Sequence, residues 1–441
     1  MNFDAQDFDE SSTSVAHEAS KQTRTNAKGA PEHGFVVDPS YVLNEVERAS
    51  CELVEIDSPS FHEREMADEM RRRLESIGFT VVEDATKGRQ DDSIASLSNT
   101  RRFGQLSTTK LAYQRLLHTG SDCGNLFATL PGRGALADAD PILFITHLDT
   151  VLPAHDKHAV VHADGTITSK GDTVLGADDI AALAIMLVAV KDLERRKADH
   201  RPVELACMVA EEVGNVGARA FDFSQCKASM AYTLDYSADP NEYAYQAPTI
   251  QIFTAEVLGH SAHAGFYPEK GIHAIKIAAR AIDQIECGRV GDDTTVNIGM
   301  ISGGRGNNVV PGTCVMRGEV RSYDHEKSVR MIEGIRETFE RAAEEFGGKV
   351  TFQVKEACRA YSIGQDAPVI ARFRRACELA GLPEASGKPT FGGSDNNVCV
   401  ANGIPGIVIA NGMREAHSTS EHVLPGDLLK IQRVVENLLT I

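Results

Sequence analysis

The chain has 441 residues, 42% of them hydrophobic and 24% charged, an ordinary globular composition with length for two or three domains. Its 45 Lys and Arg face 63 Asp and Glu, for a formal net charge of −18. That balance argues against nucleic acid or an anionic membrane as the main partner, because both demand a basic footprint. The longest apolar run, residues 180–190, falls well short of the roughly 20 residues a membrane helix needs.

The N-terminal stretch MNFDAQDFDESSTS is acidic and polar, unlike a secretory leader. The nine cysteines are odd in number, scattered, and contain no CxxC pair. A reducing, cytoplasmic home is expected, with Cys207 and Cys399 as small buried hydrophobes. Residues 1–36 hold few large apolar side chains and are expected to be a disordered tail. Apolar spacing predicts helices over 41–55 and 63–77, the second ending at Gly78 before a strand over 79–82. Residues 86–120 break this rhythm and read as an insertion, with a helix around 111–117.

From Asn125 the pattern turns regular: strands NLFATL and PILFIT, helix IAALAIMLVAVKDL, then strands VELACMV and SMAYTLD. Short buried strands alternating with helices predict an α/β fold with a mostly parallel mixed sheet and helices on both faces. Over 247–357 the texture becomes alternating: TIQIFTAEVLG, TTVNIGMISGG, TCVMRGEVRSY and KVTFQVKEA, with helices near 272–285 and 326–346. This predicts a small inserted α+β sandwich built as two β-α-β-like halves. The main domain, over 37–246, resumes over 358–441 with a helix at 368–380 and the strand GIPGIVIA.

The chemistry-bearing residues stand at strand ends. PILFIT runs into His147-Leu148-Asp149, VELACMVA into Glu211-Glu212, SMAYTL into Asp235, and GIPGIVIA leads through a loop to His417. Asp178-Asp179 stands just before the long apolar helix. In open α/β sheets, ligand sites form outside the carboxyl ends of the strands, so all five clusters are delivered to one edge. His with Asp and Glu is a donor set for Zn²⁺ or a similar divalent ion. An acidic pair beside segments that must be buried is costly unless it is compensated, which weighs against the bland reading of solvated charges.

The order HLDTV, GADD with its apolar helix, AEEVGNVGA, LD and a late AHS-x-x-EHV resembles the co-catalytic di-zinc exopeptidases. Within that family the texture is similar to the peptidase T-like subgroup, related to carboxypeptidase G and succinyl-diaminopimelate desuccinylase. The resemblance implies two divalent ions, Zn²⁺ with Co²⁺ or Mn²⁺ as alternatives, generating a bridging hydroxide. It implies His147, Asp178 and Asp235 on one ion and Asp178, Glu212 and His417 on the other. Glu211 is implied as general base, Asp149 as the carboxylate behind His147, and the Asp178–Asp179 bond as cis. It also implies that 37–246 and 358–441 form the catalytic domain, and that 247–357 is a lid through which a homodimer forms.

In the lid, GHSAHAGFYPEKGIHA resembles the family's lid loop, with His263 on the oxyanion. Asn308 and Arg321 match substrate-binding positions. His260 and His263 form an HxxH on a loop without a nearby carboxylate, a poor metal site. The turn Phe391-Gly392-Gly393-Ser394-Asp395 lacks the Arg that peptidase T carries before it, which argues against a strict tripeptide cutter. The expected activity is aminopeptidase action on short peptides. The alternatives are a carboxypeptidase or N-acyl-amino-acid amidohydrolase on the same site, and a non-catalytic peptide-binding protein, against which Glu211 speaks.

Overall fold

The computed structural model describes residues 34–86 and 120–441. The expected disordered tail, the insertion and its helix at 111–117 lie almost wholly outside the described residues.

A nine-stranded mixed sheet forms the core. Its centre is four parallel strands in the order Gly406–Ala410, Ala231–Tyr236, Ile142–His147 and Val203–Met208. Antiparallel strands flank them, Leu126–Leu130 and Thr80–Glu83 on one side and Glu242–Ala247 on the other. ILFITH and VELACM are buried at every position, as expected of strands covered on both faces. Helix Ala177–Arg196 covers one face and is itself buried from Ala177 to Val190. Glu45–Val54 and the C-terminal helix Asp427–Thr440 pack against it. On the other face, Phe127, Leu143, Ile145, Phe221 and Phe223 form a separate apolar cluster.

The first helix begins at Glu45, not at 41, because Asn44 caps it. The Asn44 side chain accepts from the Glu47 amide at 3.0 Å, and the Glu47 carboxylate accepts the Asn44 amide at 3.1 Å.

Residues 249–358 form a second layer with its own core. Five antiparallel strands run in the order Gly288–Gly291, Thr294–Gly303, Thr313–Ser322, Thr249–Leu258 and Lys349–Cys358. Phe253, Ala255, Val257, Met316 and Val320 on one face of that sheet meet Ile332, Ile335 and Phe339 of helix His325–Glu345. The two expected β-α-β halves are present, Thr249–Leu258 with helix Ala274–Asp283 and Thr294–Gly303, then Thr313–Ser322 with helix His325–Glu345 and Lys349–Cys358, and they merge into one sheet. Thr249–Leu258 pairs with both Thr313–Ser322 and Lys349–Cys358, so both helices share one apolar face of a single sheet. The opposite face, carrying Ile252, Thr254, Arg317, Glu319 and Arg321, looks into a cleft of about 950 Å³ that also contains Glu211, Glu212 and His417.

Candidate metal centre

The carboxyl ends of the parallel strands carry the cluster, each strand presenting its last residues at the same edge. His147 ends one strand and Asp235 lies near the end of its neighbour. The Glu211–Asn215 turn follows Val203–Met208, with Ala210 and Asn215 in the left-handed region at φ 52° and 56°. Asp178 precedes the regular part of the long helix; its own ψ of 96° is extended, and the Asp178–Asp179 bond is cis. His417 reaches in from a loop at φ 64°.

Asp178 stands between two imidazoles. Its Oδ1 lies 3.2 Å from His147 Nε2 and its Oδ2 lies 3.1 Å from His417 Nε2. His417 Nε2 is also 3.0 Å from the Glu212 carboxylate. Donor atoms of His147, Asp178 and Asp235 lie within 4.8 Å of one another, as do those of Asp178, Glu212 and His417. The two triads share Asp178.

Asp149 ties the parts together. Its Oδ1 accepts the Glu211 amide at 2.9 Å, and its Oδ2 accepts the Glu212 amide at 3.2 Å and the Ser60 hydroxyl at 2.7 Å. His147 Nδ1 is 2.9 Å from the Asp149 carbonyl and 3.3 Å from Oδ1, which sets the ring's orientation. The Glu211 carboxylate accepts from Asn215 at 2.8 Å, and the same amide donates to Asp395 at 3.0 Å.

The electrostatics describe a site that asks for cations. Burial, then the neighbouring carboxylate, pushes Glu211 and Asp235 well above the usual carboxylate range. Burial and Asp178 raise Glu212 to about 7. Hydrogen bonds to Asp178 and Glu212 raise His417 to about 10. Mixed imidazole and carboxylate donors in two sharing triads fit a pair of divalent ions.

The comparisons agree with this geometry. The profile described as "Peptidase dimerisation domain" matches residues 249–347, and that described as "Peptidase family M28" matches 125–284. The protein YqjE of Bacillus subtilis is 33% identical over 384 residues, covering 87% of this chain and 94% of YqjE. The crystal structure of aminopeptidase PepT from Bacillus cereus, also 33% identical, has a TM-score of 0.75 over 90% of this chain and 97% of its own. This chain belongs to the peptidase T-like family of co-catalytic exopeptidases. A tripeptidase from Staphylococcus aureus is similar too, with a TM-score of 0.79 and 28% identity over 90% of this chain and 97% of that one.

In this peptidase T-like chain the lid residues stand apart from the metal ligands. His263 is exposed; its Nδ1 accepts the Gly265 and Phe266 amides at 3.2 Å, and its ring stacks on Phe266 at 4.3 Å. Asn308 is exposed, and its carbonyl accepts the Ala264 amide at 2.9 Å. Neither lines the cleft that holds Glu211 and His417, whereas Arg321 does. His158 and His162, flanking the strand Ala159–Val161, have local partners, Glu55 at 2.6 Å and Thr168 at 2.8 Å. Cys207 and Cys399 are buried, and the cysteines among the described residues are free thiols.

Some supporting residues escaped the sequence reading. Glu421 accepts the Gly176 and Asp178 amides at 2.6 and 2.9 Å, which fixes the entry to the bridging residue. It lies four residues after His417, inside the AHS-x-x-EHV motif. Asp179 accepts the His147 amide at 3.1 Å and the Asn411 side chain at 2.8 Å. Glu63, fully buried, accepts the Phe61 and Ala210 amides at 2.7 and 3.0 Å, holding the residue before Glu211. No helix among the described residues is long and apolar enough to cross a membrane.

Proposed function

We propose that this chain is a di-metal aminopeptidase acting on short peptides. The observation that carries the reading is Asp178, whose two oxygens face two imidazoles while Glu211 sits beside them on a turn pinned by Asp149. His147, Asp178 and Asp235 would hold one ion and Asp178, Glu212 and His417 the other. Imidazole and carboxylate donors suit Zn²⁺, with Co²⁺ or Mn²⁺ as alternatives. When bound, such a pair lowers the pKa of a water and polarises the scissile carbonyl.

The chain's own residues do the rest. Glu211 Oε1 is held by Asn215, which leaves Oε2 to take the proton of the attacking water and deliver it to the leaving amine. Asp149 keeps the His147 ring and the Glu211–Glu212 turn in mutual register. The cleft of about 950 Å³ has room for a short peptide.

The same reading takes 247–357 as a lid between two parts of a catalytic domain, 37–246 and 358–441. His263 and Asn308, exposed in this chain, act after lid closure or from a second copy in a homodimer; the dimerisation profile over the lid supports this. Arg321 contributes from the cleft wall. Free, scattered cysteines support a cytoplasmic home as part of this proposal.

The test offers metal-loaded protein Ala-Ala-Ala, N-acetylated amino acids and folyl-glutamate, and follows released amine and the order of products. Release of the N-terminal residue from Ala-Ala-Ala is expected. Turnover confined to the acylated or folyl substrates would overturn the aminopeptidase assignment.

A further inference from the structure

We propose that Arg317 is the anion-binding residue of the substrate cleft, taking a carboxylate carried by the peptide, at its C terminus or on an acidic side chain. The inference rests on the peptidase reading and adds a determinant of specificity to it. Strand Thr313–Ser322 alternates, so Met316, Gly318 and Val320 are buried while Arg317, Glu319 and Arg321 face the cleft.

The two arginines are in different states. Arg321 donates through Nε and Nη2 to the two oxygens of Glu319 at 2.7 and 3.1 Å, and through Nη1 to the Phe391 carbonyl at 2.7 Å. Its charge is matched and its fork is occupied, holding the loop before Gly392 and Gly393 against the lid. Arg317, two positions before Glu319, donates no side-chain hydrogen bond and makes no ion pair among the described residues. It is half-buried, and burial is the influence that pulls its guanidinium below its ordinary value.

The sheet register supplies the setting. Arg317 lies opposite Thr254, and Thr254 lies opposite Gln353 on the next strand, a row of hydrogen-bonding side chains across the cleft wall. Glu211, Glu212 and His417 line the same cavity. A partly dehydrated, unmatched guanidinium is costly, and a planar carboxylate relieves it with two parallel bonds. In a chain of net charge −18 and with carboxylates at the reaction centre, a carboxylate-bearing peptide needs such a local cation to be retained.

The experiment compares Ala-Ala-Ala, Ala-Ala-Ala amide and Ala-Glu-Ala amide on the metal-loaded wild type, Arg317→Ala and Arg317→Gln. Loss of a charge-assisted pair predicts a KM for Ala-Ala-Ala raised about 10- to 100-fold with kcat nearly held, and an unchanged KM for Ala-Ala-Ala amide. If the side chain is the carboxylate source, only Ala-Glu-Ala amide shows the rise. Equal effects on all three peptides, or none, overturn the proposal. Calorimetric binding of the same peptides to metal-loaded Glu211→Gln, with and without Arg317→Gln, separates this from the reading beneath it. Carboxylate-dependent binding without wild-type turnover keeps Arg317 and rejects the peptidase assignment. Turnover without carboxylate dependence does the reverse, and the absence of binding by every peptide also overturns the role of Arg317.

Discussion

Asp149→Asn tests the idea that one buried carboxylate organises both the metal ligands and the base. Asp149 is fully buried and accepts from the Glu211 amide, the Glu212 amide and the Ser60 hydroxyl, with Oδ1 also 3.3 Å from the His147 ring. An asparagine keeps one acceptor oxygen and turns the other position into a donor. The less costly orientation places the new amide group at Oδ2, because Ser60 can rotate its hydroxyl to accept. The Glu212 amide then faces a donor and is left unsatisfied, which costs about 1–3 kcal/mol. The imidazole of His147 also loses the negative charge behind it, and such supporting partners are worth about 10- to 100-fold in metal affinity. Urea unfolding of the metal-free variant should therefore show a lower midpoint at constant m-value. Chelator competition should show metal binding weakened within that 10- to 100-fold range. Wild-type affinity together with a wild-type midpoint would refute the reasoning, because Asp149 Oδ2 is the acceptor that the Glu212 amide uses among the described residues.

Glu211→Gln is expected to keep its metal stoichiometry while turnover falls roughly 10²- to 10⁴-fold; loss of metal in that variant would make Glu211 a ligand instead of a base. Asp178→Ala should lose both ions on dialysis, whereas His417→Ala should weaken one; two ions retained in Asp178→Ala would remove the shared-carboxylate assignment. Lys157 is fully buried, its Nζ has no hydrogen-bond partner among the described residues, and burial lowers its pKa to about 8. Because the unfolded chain holds this proton up to its ordinary pKa of about 10.4, charged Lys157 destabilises the fold by about 3 kcal/mol below pH 8, and the penalty fades as pH rises from about 8 towards 10.4. Lys157→Met should thus raise the unfolding midpoint at pH 7 and lose much of that advantage near pH 10; an equal gain at both pH values would contradict the buried-charge account.

The arrangement of elements was largely legible because apolar periodicity is local. ILFITH and VELACM announce doubly covered strands by their unbroken hydrophobic runs, and the alternating GEVRSY and FQVKEA announce a sheet with one apolar face. Metal-type residues at several strand ends were legible for the same reason. Once strands run parallel, their carboxyl ends share an edge, and residues as far apart in sequence as His147 and His417 are brought together around Asp178.

What the chain alone could not show are the partners chosen when distant segments close on one another. Glu421 reads as an ordinary loop acid until it is found accepting the Asp178 amide from 243 residues away. Glu63 reads as the polar start of a helix until it is found buried against the Ala210 amide. Arg317 and Arg321 carry the same side chain on the same strand face. Only the position of Glu319 and of the Phe391 carbonyl leaves one fork occupied and the other open to the cleft. Sequence by itself determined which faces are apolar and which residue types end the strands, since both follow from short-range spacing. The tertiary structure decided which buried charge meets which donor, because that depends on distances of about 3 Å between segments whose separation along the chain is unrelated to their contact.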